Sequence, residues 1–299
     1  MIQPAYLQPG DRIGILCPAG SIPLEKVEMA VQTIEKWGYQ VKLGKTVGTQ
    51  DFSFSASDSD RSKELQEMLD DPQLKAIVCA RGGYGVSRII DNIDFTGFCK
   101  HPKWVIGFSD ITVLHAALQK QNVQSIHGPM AAAFSKGEVG APFIQSLKNV
   151  LEGVPQMMSA EVHPLQKNGM AKGELMGGNL CMMSHLIGSS LQMDTQGKIV
   201  FIEDIGEYHY NLDRMMIQCA RAGIWKNIAG LVVGGFTDLK DTPKDFGKDA
   251  YQIIHSYISR FQYPVCFDFP ISHGLANYAV KEGGIYTLEV TDQGATLQG

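Results

Sequence analysis

The chain has 299 residues, long for one domain and comfortable for two, and 44% of them are hydrophobic, enough for a sizeable core. Its net charge is −5 and no Lys/Arg run stands out, which argues against nucleic acid as a partner. No apolar run is long enough to cross a bilayer, and the opening Met1-Ile2-Gln3-Pro4-Ala5 carries neither a basic region nor an apolar signal stretch. A cytoplasmic protein without a membrane partner is expected.

Strand-like runs in the first half are Arg12 to Cys17, Tyr39 to Leu43, Lys75 to Ala80, Trp104 to Ile106 and Gln124 to His127. Helix-like segments are Leu24 to Trp37, Ser59 to Leu69, Gly85 to Ile90, Asp110 to Gln121 and Ala141 to Glu152. Continuously apolar strands alternating with amphipathic helices predict a parallel sheet covered on both faces. Sites in such sheets lie at the carboxyl ends of strands. The stretch from about Gly153 to Lys172 is rich in turn and polar residues, so the boundary between two domains is placed there. The second half is mixed. Predicted strands are Gly173 to Met176, Lys198 to Glu203, Gly230 to Gly234, Val265 to Phe267 and Gly284 to Val290. Predicted helices are Asn179 to Ile187, Asn211 to Ala222 and Lys248 to Phe261.

The cysteines, Cys17, Cys79, Cys99, Cys181, Cys219 and Cys266, are scattered singly, which fits free thiols in a reducing compartment better than disulfides. No His-Glu-x-x-His or close His/Asp cluster is present, so no metal is expected.

Gly107-Phe108-Ser109-Asp110 follows an apolar run and precedes a helical one. A serine at a sharp strand-to-helix turn projects its hydroxyl from the sheet, and the next amide faces whatever the hydroxyl attacks. The match to Gly-x-Ser-x-Gly is partial, because Ile111 stands where the second glycine would be. The alternative is a serine N-cap with Asp110 in the first turn.

A serine nucleophile needs a base and a group that orients the base. His273 lies in an irregular loop, Ser272 to Asn277, after a predicted strand. His115 reads as a packed helix residue. His127 leaves another strand end, where it either lines the same cleft or is satisfied by backbone groups. Glu203 is the first charge after the buried run Ile199 to Ile202, which makes it the favoured orienting acid. Asp204 and Glu207 are the alternatives.

Arg81-Gly82-Gly83-Tyr84-Gly85 fits neither the dinucleotide fingerprint nor the P-loop. Its exposed amides suit an oxyanion hole formed by Gly83 or a neighbour with Asp110, or else a tight turn that needs positive φ. Arg81 pairs either with a substrate carboxylate or with a nearby acid. Asn179 is a helix N-cap or a substrate contact.

Taken together and in order, Arg81 to Gly85, Gly107 to Thr112, Gly177-Gly178-Asn179-Leu180, Phe201-Ile202-Glu203-Asp204, Asn211 to Met215 and Ser272-His273-Gly274 resemble the LD-carboxypeptidase family of serine peptidases. The openings Leu7 to Ile13 and Cys17 to Gly20 also look like that family. The resemblance implies an α/β fold: a flavodoxin-like parallel-sheet N-terminal domain and a smaller β-containing C-terminal domain. The first (1–155) would carry the nucleophile and the second (170–299) the Glu and His. It implies a triad of Ser109, Glu203 and His273, with Glu207 still open as the acid, and an oxyanion hole from the amides of Gly83 and Asp110. Substrate contacts are expected at Arg81, Tyr84, Asn179 and His127. It also implies a cytoplasmic homodimer with no cofactor. The family's best-known activity removes the terminal D-alanine of the murein tetrapeptide in peptidoglycan recycling. A second branch resembles microcin-C immunity proteins, which cleave an antibiotic amide and carry extra aromatic loop residues. No tryptophan lies between Trp104 and Trp225, which favours the muropeptide. A non-enzymatic small-molecule binding protein, with Ser109 only a cap, is the reading from a different class.

Overall fold

The computed structural model describes residues 1–299, which divide into two compact units. The first is Met1–Val154 with Tyr278–Lys281, and the second is Pro155–Asn277 with Glu282–Gly299.

In chain order the first unit contains β1 (Arg12–Leu16), α1 (Glu25–Lys36), β2 (Gln40–Leu43), α2 (Asp58–Asp70), β3 (Leu74–Cys79) and α3 (Val86–Ile89). It continues with α4 (Thr96–Lys100), β4 (Trp104–Gly107), α5 (Thr112–Lys120), β5 (Ser125–His127) and α6 (Ala141–Glu152). Strand order is β5-β4-β3-β1-β2, all parallel, the doubly wound 2-1-3-4-5 arrangement of flavodoxin-like sheets. Ile13, Ile15, Ala76, Val78, Trp104 and Ile106 pack on one face with Val27 and Ile34 of α1 and with Leu147 and Val150 of α6. Met68 of α2 packs on the other face, against Gly14. The central strands β1, β3 and β4 are therefore buried on both sides, which is why those runs read as continuously apolar, whereas β2 at the edge is largely exposed.

The second unit begins with β6 (Met157–Ala160), β7 (Gly169–Asn179), α7 (Leu180–His185), β8 (Ile199–Ile205), α8 (His209–Arg221) and β9 (Gly230–Thr237). Then come α9 (Ala250–Ile258) and β10 (Val265–Phe269), after which the chain returns to the first unit for most of β11 (Val280–Glu282) before β12 (Ile285–Thr291) and β13 (Gly294–Gln298). β11 lies beyond β5 on the edge of the first sheet. The second sheet runs β10-β9-β8-β7-β12-β13-β6, parallel from β10 to β7 and antiparallel from β7 to β6. Lys167 and Val265 exchange both backbone hydrogen bonds, at 2.9 and 3.0 Å. This antiparallel bridge ties the segment after β6 to β10 and covers an otherwise open margin.

The segment expected to be a linker thus carries a strand, and β11, β13, α4 and a 3-10 stretch over Ala131–Gly140 were not expected from the sequence. β6, β11 and β13 are at most five residues long, too short to show a clear period. No helix is long and apolar enough to cross a membrane. Cys17, Cys79, Cys219 and Cys266 are buried free thiols, and Cys99 is exposed.

Candidate functional site

β4 ends at Gly107, and a 3-10 turn, Ser109–Ile111, leads into α5. Phe108 precedes this turn in extended conformation, and no side-chain cap bond is made at the start of the turn or of α5. Ser109 is therefore not the helix cap that one reading allowed. Its φ is +65°, in the left-handed region, and its side chain is partly exposed. A non-glycine residue held there costs on the order of 1–3 kcal/mol, so the surrounding structure must impose it. Two contacts brace this turn. His115, fully buried in α5, reaches back to the Gly107 carbonyl with Nε2 at 2.9 Å. Asp110, also buried, accepts the Val86 N–H on Oδ2 at 2.8 Å.

The glycine-rich loop after β3 lies directly against the serine. A Cβ added to Gly82 would sit 2.9 Å from Ser109 Cβ and 3.2 Å from its Oγ. No residue with a side chain fits there. Gly83 is exposed and has φ +100°. Arg81 donates from Nη1 to the Ser21 carbonyl at 2.7 Å. The Tyr84 ring, 56% exposed, lies 5.9 Å from that of Phe54. His127 is enclosed at the end of β5, with its ring 5.8 Å from that of Phe108.

The second unit holds the imidazole and the carboxylates. In β8 the register against β9 slips between Ile202 and Asp204, so Glu203 sits opposite a bulge in β9. A bulge re-aims side chains at the end of a strand. Glu203 and Asp204 are both buried, at 0% and 2% exposure, although they are consecutive. Glu203 Oε2 lies 2.5 Å from His273 Nδ1. His273 is carried on the loop after β10. There Ser272 Oγ accepts the Gly274 N–H at 3.0 Å and donates to the Ala276 carbonyl at 2.8 Å, pinning the turn on both sides of the ring.

The other acids have different partners. Asp204 accepts from Asn179 Nδ2 at 2.7 Å, Cys181 N at 2.9 Å and Ile205 N at 2.9 Å. Burial, reinforced by Glu203, pushes its carboxyl up to about 7. Glu207 accepts from Asn211 Nδ2 at 2.5 Å, at the start of α8. Asn179 caps α7, its Oδ1 taking the Met182 N–H at 3.1 Å, so both ends of its amide are engaged within the unit.

Bracing residues such as Ser272, His115 and Asp204 carry no motif that reveals their partners. Among the described residues, no group of three or more His, Cys, Asp or Glu is placed to hold a metal ion. What each unit offers chemically is clear. One presents a hydroxyl on a strained strand-to-helix turn beside a glycine-lined loop. The other presents an imidazole whose Nδ1 is held by a buried carboxylate.

Comparison with known proteins gives this arrangement a family. Residues 13–128 match the model of the LD-carboxypeptidase N-terminal domain, and residues 172–288 match that of its C-terminal domain. The chain is 33% identical over 300 residues to the probable murein peptide carboxypeptidase of Bacillus subtilis (strain 168), covering 99% of this chain and 94% of that one. It is 28% identical to the murein tetrapeptide carboxypeptidase of Pseudomonas aeruginosa, over 94% of each chain. The crystal structure of muramoyltetrapeptide carboxypeptidase from Oxalobacter formigenes superposes with a TM-score of 0.87 at 29% identity, covering 96% and 98% of the two chains. The microcin C7 self-immunity protein shares the fold, with a TM-score of 0.88 at 18% identity and coverage of 100% and 99%. With both halves of the family represented along nearly the whole chain, this protein belongs to the LD-carboxypeptidase family.

Proposed function

We propose that this protein is a serine carboxypeptidase that releases the C-terminal D-alanine of the murein tetrapeptide. In this reading Ser109 is the nucleophile, His273 the general base and Glu203 the acid that holds the imidazole. The observation that carries it is the left-handed backbone at Ser109, strain at a serine that caps no helix and faces a glycine loop. The bond between Glu203 and His273 supports it, and so do relatives at 28% and 33% identity that are named murein peptide carboxypeptidases.

The chemistry follows from these roles. Ser109 Oγ bonds to the scissile carbonyl carbon while its proton passes to His273 Nε2. The carbonyl electron pair moves onto oxygen, and the amides of Gly83 and Asp110 donate to that oxyanion. The C–N bond breaks as the imidazolium protonates the departing D-alanine amine. Water then attacks the acyl-enzyme, giving its proton to His273, and Ser109 leaves with a proton returned from the ring. Glu203 fixes the tautomer with Nδ1 protonated and stabilises the imidazolium.

Arg81 and Tyr84 are assigned to the substrate, Arg81 to its free carboxylate. The same reading makes the enzyme a cytoplasmic homodimer that works without a cofactor in peptidoglycan recycling, with no nucleic-acid or membrane partner.

The test is D-alanine release from purified tetrapeptide, followed by mass spectrometry, for the wild type and Ser109→Ala. Release should vanish in the variant, and near wild-type release would end the proposal. An aminoacyl sulfamoyl adenosine assayed alongside, if turned over faster than the tetrapeptide, would move the assignment to the antibiotic-amide branch.

A further inference from the structure

Arg61 lies in the first turn of α2, on the face that also carries Leu65, Met68 and Leu69, and its side chain is fully buried. Burying a guanidinium costs several kcal/mol unless its donors are used and its charge is matched. Here the bonding is extensive. Nε donates to the Ala56 carbonyl at 3.1 Å, and Nη1 donates to the carbonyls of Pro18 at 2.6 Å and Gly85 at 3.1 Å. Nη2 pairs with Asp58, and the Phe54 ring lies 4.8 Å from the guanidinium carbon. An apolar side chain would fill this position at no such cost, so what the guanidinium holds is informative.

It holds two loops that leave adjacent strands. Pro18 follows β1, and Gly85 closes the glycine loop after β3. At Gly85, where φ is +147°, an added Cβ would lie 2.6 Å from Arg61 Nη1, so the backbone has been cleared for the cation. The same loop is fastened at two more points. Gly82 O accepts the Gly20 N–H at 2.9 Å, and the Val86 N–H reaches Asp110 at 2.8 Å. The turn from Gly82 to Gly85 is thus fastened at three places around Ser109, and Arg61 supplies the only charged donor among those bonds.

We propose that Arg61 is a positioning residue for acyl transfer. Its fork sets the height of the Gly82–Gly85 turn over Ser109, and so the aim of the Gly83 amide at the developing oxyanion. This rests on the assignment of Ser109 as nucleophile. Arg61 acts through the Gly85 carbonyl rather than on the substrate. An oxyanion donor matters only once charge has developed, so a displaced loop lowers kcat far more than it raises KM through Tyr84. Lysine is a poor substitute, because one ammonium on a flexible stem lacks the Nε and Nη2 donors that fix the guanidinium to Ala56 and Asp58 while Nη1 bridges the two loop carbonyls.

The experiment compares Arg61→Lys, Arg61→Met and Ser109→Ala with wild type, measuring kcat and KM on murein tetrapeptide at a temperature where circular dichroism shows each variant folded. Arg61→Lys should lose about 10- to 100-fold in kcat with KM within about threefold, and Arg61→Met should lose more. If Arg61→Met does not fold, Arg61→Lys decides alone. A folded Arg61→Lys with wild-type kcat overturns the inference, as does a loss confined to KM. If Ser109→Ala is inactive in either case, the nucleophile assignment survives the failure. If Ser109→Ala retains activity, that assignment and this inference fall together.

Discussion

His273 Nδ1 lies 2.5 Å from Glu203 Oε2, while Glu207, four residues further on, bonds to Asn211 instead. The acid that orients the imidazole is thus set by the bulge that β9 makes opposite Glu203 and by the pinned loop after β10. Glu203→Gln should therefore lower kcat/KM for D-alanine release by about 10³-fold or more, because an amide neither fixes the tautomer nor stabilises the imidazolium. Glu207→Gln should stay within about threefold. Steady-state kinetics on both variants checks this, and the reverse ranking would mean that the wrong carboxylate has been assigned.

Strain at Ser109 predicts a trade of stability against activity. Ser109→Gly and Ser109→Ala should both be inactive, yet the glycine variant should be the more stable by about 1 kcal/mol, since glycine adopts φ +65° without a Cβ penalty. Chemical denaturation of the two variants measures the difference. Equal midpoints would show that the turn stores no such strain.

Gly82 has no space for a side chain. Gly82→Ala would drive a Cβ to 2.9 Å from Ser109 Cβ, and the serine or the loop must move. Turnover should fall by about 10- to 100-fold in a protein that still folds. Unimpaired turnover would show that the loop can shift without consequence for the hydroxyl.

His115 should make the protein acid-sensitive. Complete burial lowers its imidazole from 6.5 to about 4. Between those values the unfolded chain binds a proton that the native ring refuses. Its contribution is therefore fully present above pH 6.5 and is lost as pH falls toward 4, by up to about 3 kcal/mol. His115→Gln can still donate to the Gly107 carbonyl and carries no such proton. Urea denaturation near pH 7.5 and near pH 4.5 should show a smaller acid loss in the variant. Identical losses in the two proteins would remove His115 as the cause.

Much of this architecture was legible in the residue pattern. The apolar runs at β1, β3 and β4 and the amphipathic stretches at α1, α2 and α6 appear within one or two residues of their expected limits. Burial on both faces leaves a local imprint on composition, which a single pass along the chain detects. The short strands β6 and β11 left no comparable imprint, because they exist only through pairing with distant segments, and β13, a hairpin partner of β12, is too short to show a period. Arg61 was hidden for the opposite reason. Its spacing to Leu65 and Met68 places it on the core side of α2, but nothing local says that a charge there will find its carbonyls in two other loops.

By itself, then, the sequence determined the order of the longer strands and helices, the strand-to-helix turn at Ser109 and a set of candidate residues for acyl-transfer chemistry. These depend on neighbours along the chain: periodicity, turn residues and the first polar group after a buried run. Tertiary structure alone decided that Ser109 is left-handed rather than a cap, that Glu203 and not Glu207 meets His273, and that a buried guanidinium fastens the glycine loop. Each of these depends on a register slip, a close approach or a hydrogen bond between groups tens of residues apart, which side-chain periodicity does not record.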